Sequence, residues 1–132
     1  MTFDEYQQKA HYTSGNDSLE MCALGLNGES GEVADLIKRH KYHGHTLVIP
    51  KLEEELGDVL WYIAEMATTL GLSLESVAWA NVQKLQQRYP EGFSSKWSIN
   101  RQPSEITGLP AAHKPCSVCG ITGWHSPSCT NK

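Results

Sequence analysis

Two short acidic pairs constrain this chain more than any other feature. Between Leu26 and Ile63 the sequence reads LNGESGEVADLIKRHKYHGHTLVIPKLEEELGDVLWYI, with Glu29 and Glu32 in an E-x-x-E pattern and Glu55 and Asp58 in an E-x-x-D pattern. Residues three apart on an α-helix share a face, with Cβ atoms about 5–6 Å apart, so each pair presents two carboxylates side by side. Apolar residues flank both pairs: Val33, Leu36 and Ile37 the first, Leu52, Leu56, Val59 and Leu60 the second. The acids therefore ride along the edge of a hydrophobic stripe, and two such helices packed antiparallel enclose a site with four carboxylates. Carboxylates at a core edge are costly without a compensating cation. Oxygen ligands at that density suit a hard divalent ion such as Mg²⁺ or Mn²⁺. The plainer alternative is a solvated acidic face, since carboxylates three apart are common on helices. Gly28, Gly31 and Gly57 sit beside the acids, where each glycine costs about 1 kcal/mol relative to alanine. Their presence predicts close helix approach or ligand access.

The surrounding pattern is helical. Thr2 with Glu5 three residues on forms a capping box for a first helix over MTFDEYQQKAHY, and Thr13 to Asp17 is a turn-rich break. A second helix runs from near Ser18 toward Lys41, with Leu19, Cys22, Ala23 and Leu26 as its core face and Cys22 as a buried small hydrophobe. Tyr42 to Pro50 reads as a loop, and His40, His43 and His45 cluster at its start. A third helix begins after Ile49, with Pro50 in its first turn, and continues through Leu70 to a stop at Gly71. Ser73 caps a fourth helix that runs to about Tyr89, where Pro90 ends it. Four helices with short connections predict an all-α, bundle-like fold.

Composition narrows the class. The chain has 132 residues and a formal net charge of −4, so bulk electrostatics do not favour nucleic acid. The first twenty or so residues are polar and carry no apolar leader, and no apolar run approaches the ~18–20 residues needed to span a membrane. A soluble, cytoplasmic protein in a reducing compartment is expected.

With these residues in view, a family resemblance can be stated. LNGESGEVADLIK followed by EEELGDVLWYIA, together with the run NVQKLQQRYPEGF from Asn81 to Phe93, resembles the MazG-like all-α NTP pyrophosphohydrolases, whose signature is E-x-x-E, a spacer, then E-x-x-D. The resemblance covers residues 1–101 and implies a four-helix MazG-like bundle. It further implies a Mg²⁺-dependent nucleoside triphosphate pyrophosphohydrolase that attacks between the α and β phosphates, releasing a nucleoside monophosphate and pyrophosphate. Glu29, Glu32, Glu55 and Asp58 are the expected catalytic metal ligands, with Glu32 as the base. Deoxynucleoside triphosphates are the favoured substrates. A homodimer or homotetramer is expected, both from the resemblance and because so few helices leave broad apolar stripes uncovered. If the gene is carried by a phage, the compartment is the host cytoplasm.

Several residues are candidates for holding the nucleotide. Asn81, Lys84 and Arg88 share a helix face and offer an amide, an ammonium and a guanidinium to its polar edge and phosphates. Lys38, Arg39 and Lys41 place positive charge in a last helical turn, where they suit the helix dipole or reach phosphates. Trp61, Tyr62 and Trp79 are core aromatics or, in the sharper reading, one of them stacks on the base.

Beyond Phe93 the character changes. Ser94 to His113 reads as a Ser- and Pro-rich linker that wraps the bundle through Trp97 and Ile99. Cys116, Cys119, His125 and Cys129 then form C-x2-C-x5-H-x3-C, the ligand type and number of a tetrahedral structural Zn²⁺ site, with His113 as the substitute for His125. Residues 102–132 are accordingly expected to be a linker and zinc-binding module beside the 1–101 domain. The module lies outside the usual pattern of the family. Two other functions stay open at this point: a zinc-knuckle nucleic-acid-binding or adaptor protein on a helical scaffold, and a hydrolase of a signalling nucleotide such as a guanosine polyphosphate. No P-loop is present, which disfavours a kinase- or ATPase-like route.

Overall fold

A computed structural model describes residues 1–15 and 17–100 of the chain, with only the backbone of Trp97. The described residues contain helices and no strand: α1 (Phe3–His11), α2 (Leu19–His43), α3 (Ile49–Thr69), α4 (Leu74–Arg88) and a short α5 (Ser95–Ile99). The chain divides into two compact units, Met1–Leu70 and Gly71–Lys132. The first contains α1 to α3, and the described part of the second contains α4 and α5.

Local chemistry sets the helix ends. The Thr2 hydroxyl accepts from the Glu5 N–H at 3.1 Å, and the Glu5 carboxylate accepts from the Thr2 N–H at 2.8 Å, so the expected capping box is complete. Ser18 caps α2 by accepting from the Met21 N–H, and Ser73 caps α4 by accepting from the Ser76 N–H. Pro50 lies in the first turn of α3, where its missing N–H leaves no gap in the helix. Gly71, at φ 67°, follows the last turn of α3.

The loop expected from Tyr42 begins later. Tyr42 and His43 complete α2, and Gly44 adopts the left-handed conformation, φ 73°, as its C-cap. The histidines belong to this terminus. The His45 N–H donates to the Arg39 carbonyl at 3.2 Å, and His40 Nδ1 donates to the His45 carbonyl at 2.9 Å. Side-chain donors near the helix end thus extend the helix past the point where composition suggests a loop. A second correction concerns the stretch after Phe93. Ser95–Ile99 forms one helical turn inside the segment expected to be linker.

Within Met1–Leu70, α3 is the shared element: α2 packs along it, and α1 packs on it as well. α2 and α3 approach tightly at Gly25, where an added Cβ would overlap the Tyr62 ring. Gly28, Gly31 and Gly57 meet no described residue at the Cβ position, so the close approach lies one helical turn before Gly28 instead. Of the expected core face of α2, Cys22 is fully buried and Leu26 half-buried, whereas Leu19 and Ala23 are exposed. Burial pushes the Cys22 thiol up, partly offset by a hydrogen bond with Thr69.

Polar contacts dock α1 onto α3. Gln7 Nε2 donates to the Thr68 hydroxyl at 3.0 Å, and the Trp61 indole N–H is shared between the Ala10 carbonyl and the Thr13 hydroxyl at 3.2 and 2.9 Å. His11 Nδ1 lies 3.1 Å from both oxygens of Glu65, which is only 2% exposed.

Candidate metal centre

The packing of α2 on α3 places Glu29, Glu32 and Glu55 together, with one carboxylate oxygen from each within 4.8 Å of the others. Glu29 and Glu32 come from one face of α2, as the three-residue spacing requires. Glu55 comes from α3 and is 3% exposed, whereas Glu29 is half-buried and Glu32 exposed. The cluster therefore grades from interior to solvent, with its mouth on the Glu32 side.

Asp58, the fourth acid of the two pairs, stands outside this trio but within its field. The Glu29 carboxyl is pushed up from the ordinary carboxylate range, first by desolvation and then by Glu32, Asp58 and Glu55, with Lys51 acting in the opposite direction. The phenol of Tyr6 on α1 is also pushed up, by burial and then by the Asp58 charge. Asp58 thus faces the region shared by the cluster and α1. Mutual repulsion of this kind is what a multivalent cation relieves.

One lysine already reaches in. Lys51 Nζ lies 2.9 Å from Glu55 and 3.2 Å from Glu54. These contacts, Glu55 first, push the Lys51 ammonium above its ordinary value. Lys51 does not stand out in the sequence except by the K-x-x-x-E spacing to Glu55, which places the two side chains on one helix face. The donor set is nonetheless that of a hard cation: three carboxylates, one of them buried, and no sulfur or imidazole among them.

Other candidate residues fall elsewhere. Lys38 is ion-paired with Asp35 on its own helix, and Arg39 lies 3.9 Å from the same carboxylate. The Lys38 hydrogen bond holds the Asp35 carboxyl below the usual range. Trp61 spends its N–H on α1 and packs edge-on against Tyr62, with ring centroids 4.9 Å apart. Asn81, Lys84 and Arg88 lie on α4 in the second unit. Asn81 is exposed, Lys84 half-buried, and the Arg88 Nε is buried without a hydrogen-bond partner among the described residues. Trp79 is exposed. Cys116, Cys119, His125 and Cys129 lie outside the described residues.

Comparison with known proteins now bears on this geometry. The family described as MazG nucleotide pyrophosphohydrolase domain matches residues 17–93, a span that contains both acidic pairs and α2 to α4. The chain belongs to the MazG family. The Gene 37 protein of Mycobacterium phage L5 is 35% identical over 89 residues, which is 64% of this chain and 78% of that protein. No solved structure matches the chain. MazG membership places the acid cluster within a nucleotide pyrophosphohydrolase domain. It also agrees with the helical character of the described residues, in which no helix is long and apolar enough to cross a membrane.

Proposed function

We propose that this MazG protein is a Mg²⁺- or Mn²⁺-dependent hydrolase that cleaves nucleoside triphosphates, deoxy forms preferentially, to a nucleoside monophosphate and pyrophosphate. The carrying observation is the convergence of Glu29, Glu32 and Glu55 from two helices within the family-matched span. In this reading Glu29, Glu32 and Glu55 hold the ion, and Asp58 is the fourth carboxylate. A divalent ion supplies neutralisation of the triphosphate and a bound water of lowered pKa. Buried Glu55 fixes the inner wall of the site, while Glu32, exposed at its mouth, would also serve as acceptor for the proton of the attacking water. Asn81, Lys84 and Arg88 are proposed nucleotide contacts on the strength of the N-x-x-K-L-x-x-R run alone. Trp61 and Lys38 are weaker candidates for that role, because each already has partners on α1 or α2.

Product analysis over the common NTPs and dNTPs with Mg²⁺ tests the reading. Monophosphate plus pyrophosphate is expected; diphosphate plus orthophosphate overturns it.

Two accessory features complete the proposal. Among the described residues few side chains are fully buried, while Leu24 is 75% exposed and Met21, Leu56 and Ile49 are exposed too. Such a surface supports a homodimer or homotetramer, and light scattering at micromolar concentration is expected to exclude a monomer. The C-x2-C-x5-H-x3-C run supports one structural Zn²⁺ per chain on Cys116, Cys119, His125 and Cys129. Thiolate ligands select zinc and the acid cluster selects magnesium, so the two metals do not compete. Elemental analysis of protein purified without a metal-affinity tag is expected to find zinc in equimolar amount.

A further inference from the structure

Lys51 occupies a position that neither the family match nor the acid pattern assigns. It sits in the first turn of α3, with its ammonium 2.9 Å from the buried carboxylate of Glu55 and 3.2 Å from that of Glu54. The two partners differ. Glu55 is a member of the carboxylate trio and almost wholly buried, whereas Glu54 is exposed and outside the trio. A buried carboxylate beside two others carries repulsion that solvent cannot screen, so a resident cation on it matters for the unloaded protein. The same cation competes with any ion that needs Glu55 as a ligand. Glu54 offers the lysine a second carboxylate within reach, so leaving Glu55 does not leave Lys51 without a partner.

We propose that Lys51 is the built-in counter-cation of the acid site, pairing with Glu55 until a divalent ion takes that carboxylate, at which point Lys51 moves onto Glu54. This rests on the metal-site reading above and adds to it a residue that sets how tightly the ion is held. It is a positioning and affinity-setting residue, since it acts through Glu55. Two consequences separate it from a lysine that merely supports Glu55 as a ligand. Removing a competitor tightens metal binding, whereas removing a support weakens it. Removing a resident cation also lowers the stability of the metal-free protein while leaving the metal-loaded protein little changed.

Mn²⁺ binding to the full-length protein, read from the free-ion electron paramagnetic resonance signal, tests this without reference to turnover. Lys51→Met is expected to bind Mn²⁺ about threefold to tenfold more tightly than the parent protein, the scale of one partly exposed, charge-assisted contact. Lys51→Arg keeps the charge and the pairing, and is expected to bind no more tightly. Titrations run in about 0.5 M KCl, where the Debye length is ~4 Å, remove the diffuse field of an exposed lysine and leave the direct contact. Lys51→Gln serves as the second neutral variant, with the same expectation, should the methionine variant fail to fold. Unchanged or weaker Mn²⁺ binding in the neutral variants overturns the inference and leaves the metal site standing. Absence of Mn²⁺ binding in the parent protein overturns the metal-site reading and this inference together.

Discussion

Helix α3 buries two glutamates, and their surroundings differ completely. Glu65 is 2% exposed and has both oxygens on His11 of α1, close to the Gln7–Thr68 and Trp61–Ala10 contacts. Glu55 is 3% exposed and faces Glu29 and Glu32 of α2, with Lys51 of its own helix as counter-charge. A buried carboxylate costs several kcal/mol unless it is compensated. At Glu65 the partner is a ring nitrogen of His11 from a neighbouring element, in a place where docking α1 needs a polar contact, and among the described residues no second carboxylate shares the spot. At Glu55 the neighbours add like charge, and the compensation is one lysine that is 47% exposed. Burial alone therefore does not mark a site. The sign of the surrounding groups does.

The largest way to break this comparison is through turnover. Glu55→Gln removes a proposed metal ligand and is expected to reduce pyrophosphate release by about a hundredfold to a thousandfold, equivalent to several kcal/mol of lost transition-state stabilisation. Glu32→Gln and Asp58→Asn are expected to behave similarly. Glu65→Gln keeps an oxygen acceptor for His11 and lies outside the acid cluster, so its rate should stay within a few-fold of the parent. Equal losses at Glu55 and Glu65 would mean that the two ends of α3 do not divide into site and scaffold.

Stability should show the reverse order. His11→Ala leaves the Glu65 carboxylate buried without its partner and is expected to cost about 1–3 kcal/mol by urea denaturation. Glu29→Gln should instead raise the melting temperature of the metal-free protein. The sign follows from linkage. A carboxyl whose pKa is raised on folding binds its proton more tightly in the native state, so its ionisation destabilises the fold as pH rises through the acid range. An amide at that position removes the penalty at neutral pH. Added Mg²⁺ should then stabilise the parent protein more than the variant.

Much of this contrast was legible in the sequence, but unevenly. The acidic pairs, the Thr2–Glu5 box, and the Ser18 and Ser73 caps are local patterns, fixed by spacing within one helix, and spacing is what a sequence displays. Grouping Glu29, Glu32 and Glu55 follows once two such helices pack together. Contacts between elements distant in the chain carry no comparable signal. Glu65 and His11 look like any surface acid and base, and nothing local signals that the Trp61 N–H donates to α1. Lys51 was visible in principle through its i, i+4 relation to Glu55, but such pairs are common on solvated faces. The end of α2 lies beyond the point the sequence suggests, because a run of histidines with a glycine reads as loop, while here His40, His45 and Gly44 together close the helix.

The glycines give the smallest and most local test. Sequence reasoning assigns Gly28, Gly31 and Gly57 to close helix approach or ligand access, and the close approach falls at Gly25 instead. At Gly25 an added methyl would overlap the Tyr62 ring, so that residue lets α2 and α3 meet. At Gly28, on the helix turn that carries Glu29, an added methyl would meet none of the described residues. Alanine favours a helix over glycine by about 1 kcal/mol, and overpacking costs about 1–3 kcal/mol. Gly25→Ala is therefore expected to lower stability by about 1 kcal/mol net, as the overlap outweighs the helix preference. Gly28→Ala should raise stability by up to about 1 kcal/mol in the metal-free protein. If the space beside Gly28 is used by the nucleotide, the same variant should raise KM while leaving metal affinity unchanged. If it is not used, KM should follow the parent. Denaturation midpoints for both variants, set beside KM for Gly28→Ala, decide whether Gly28, beside Glu29, serves the ligand or only the helix.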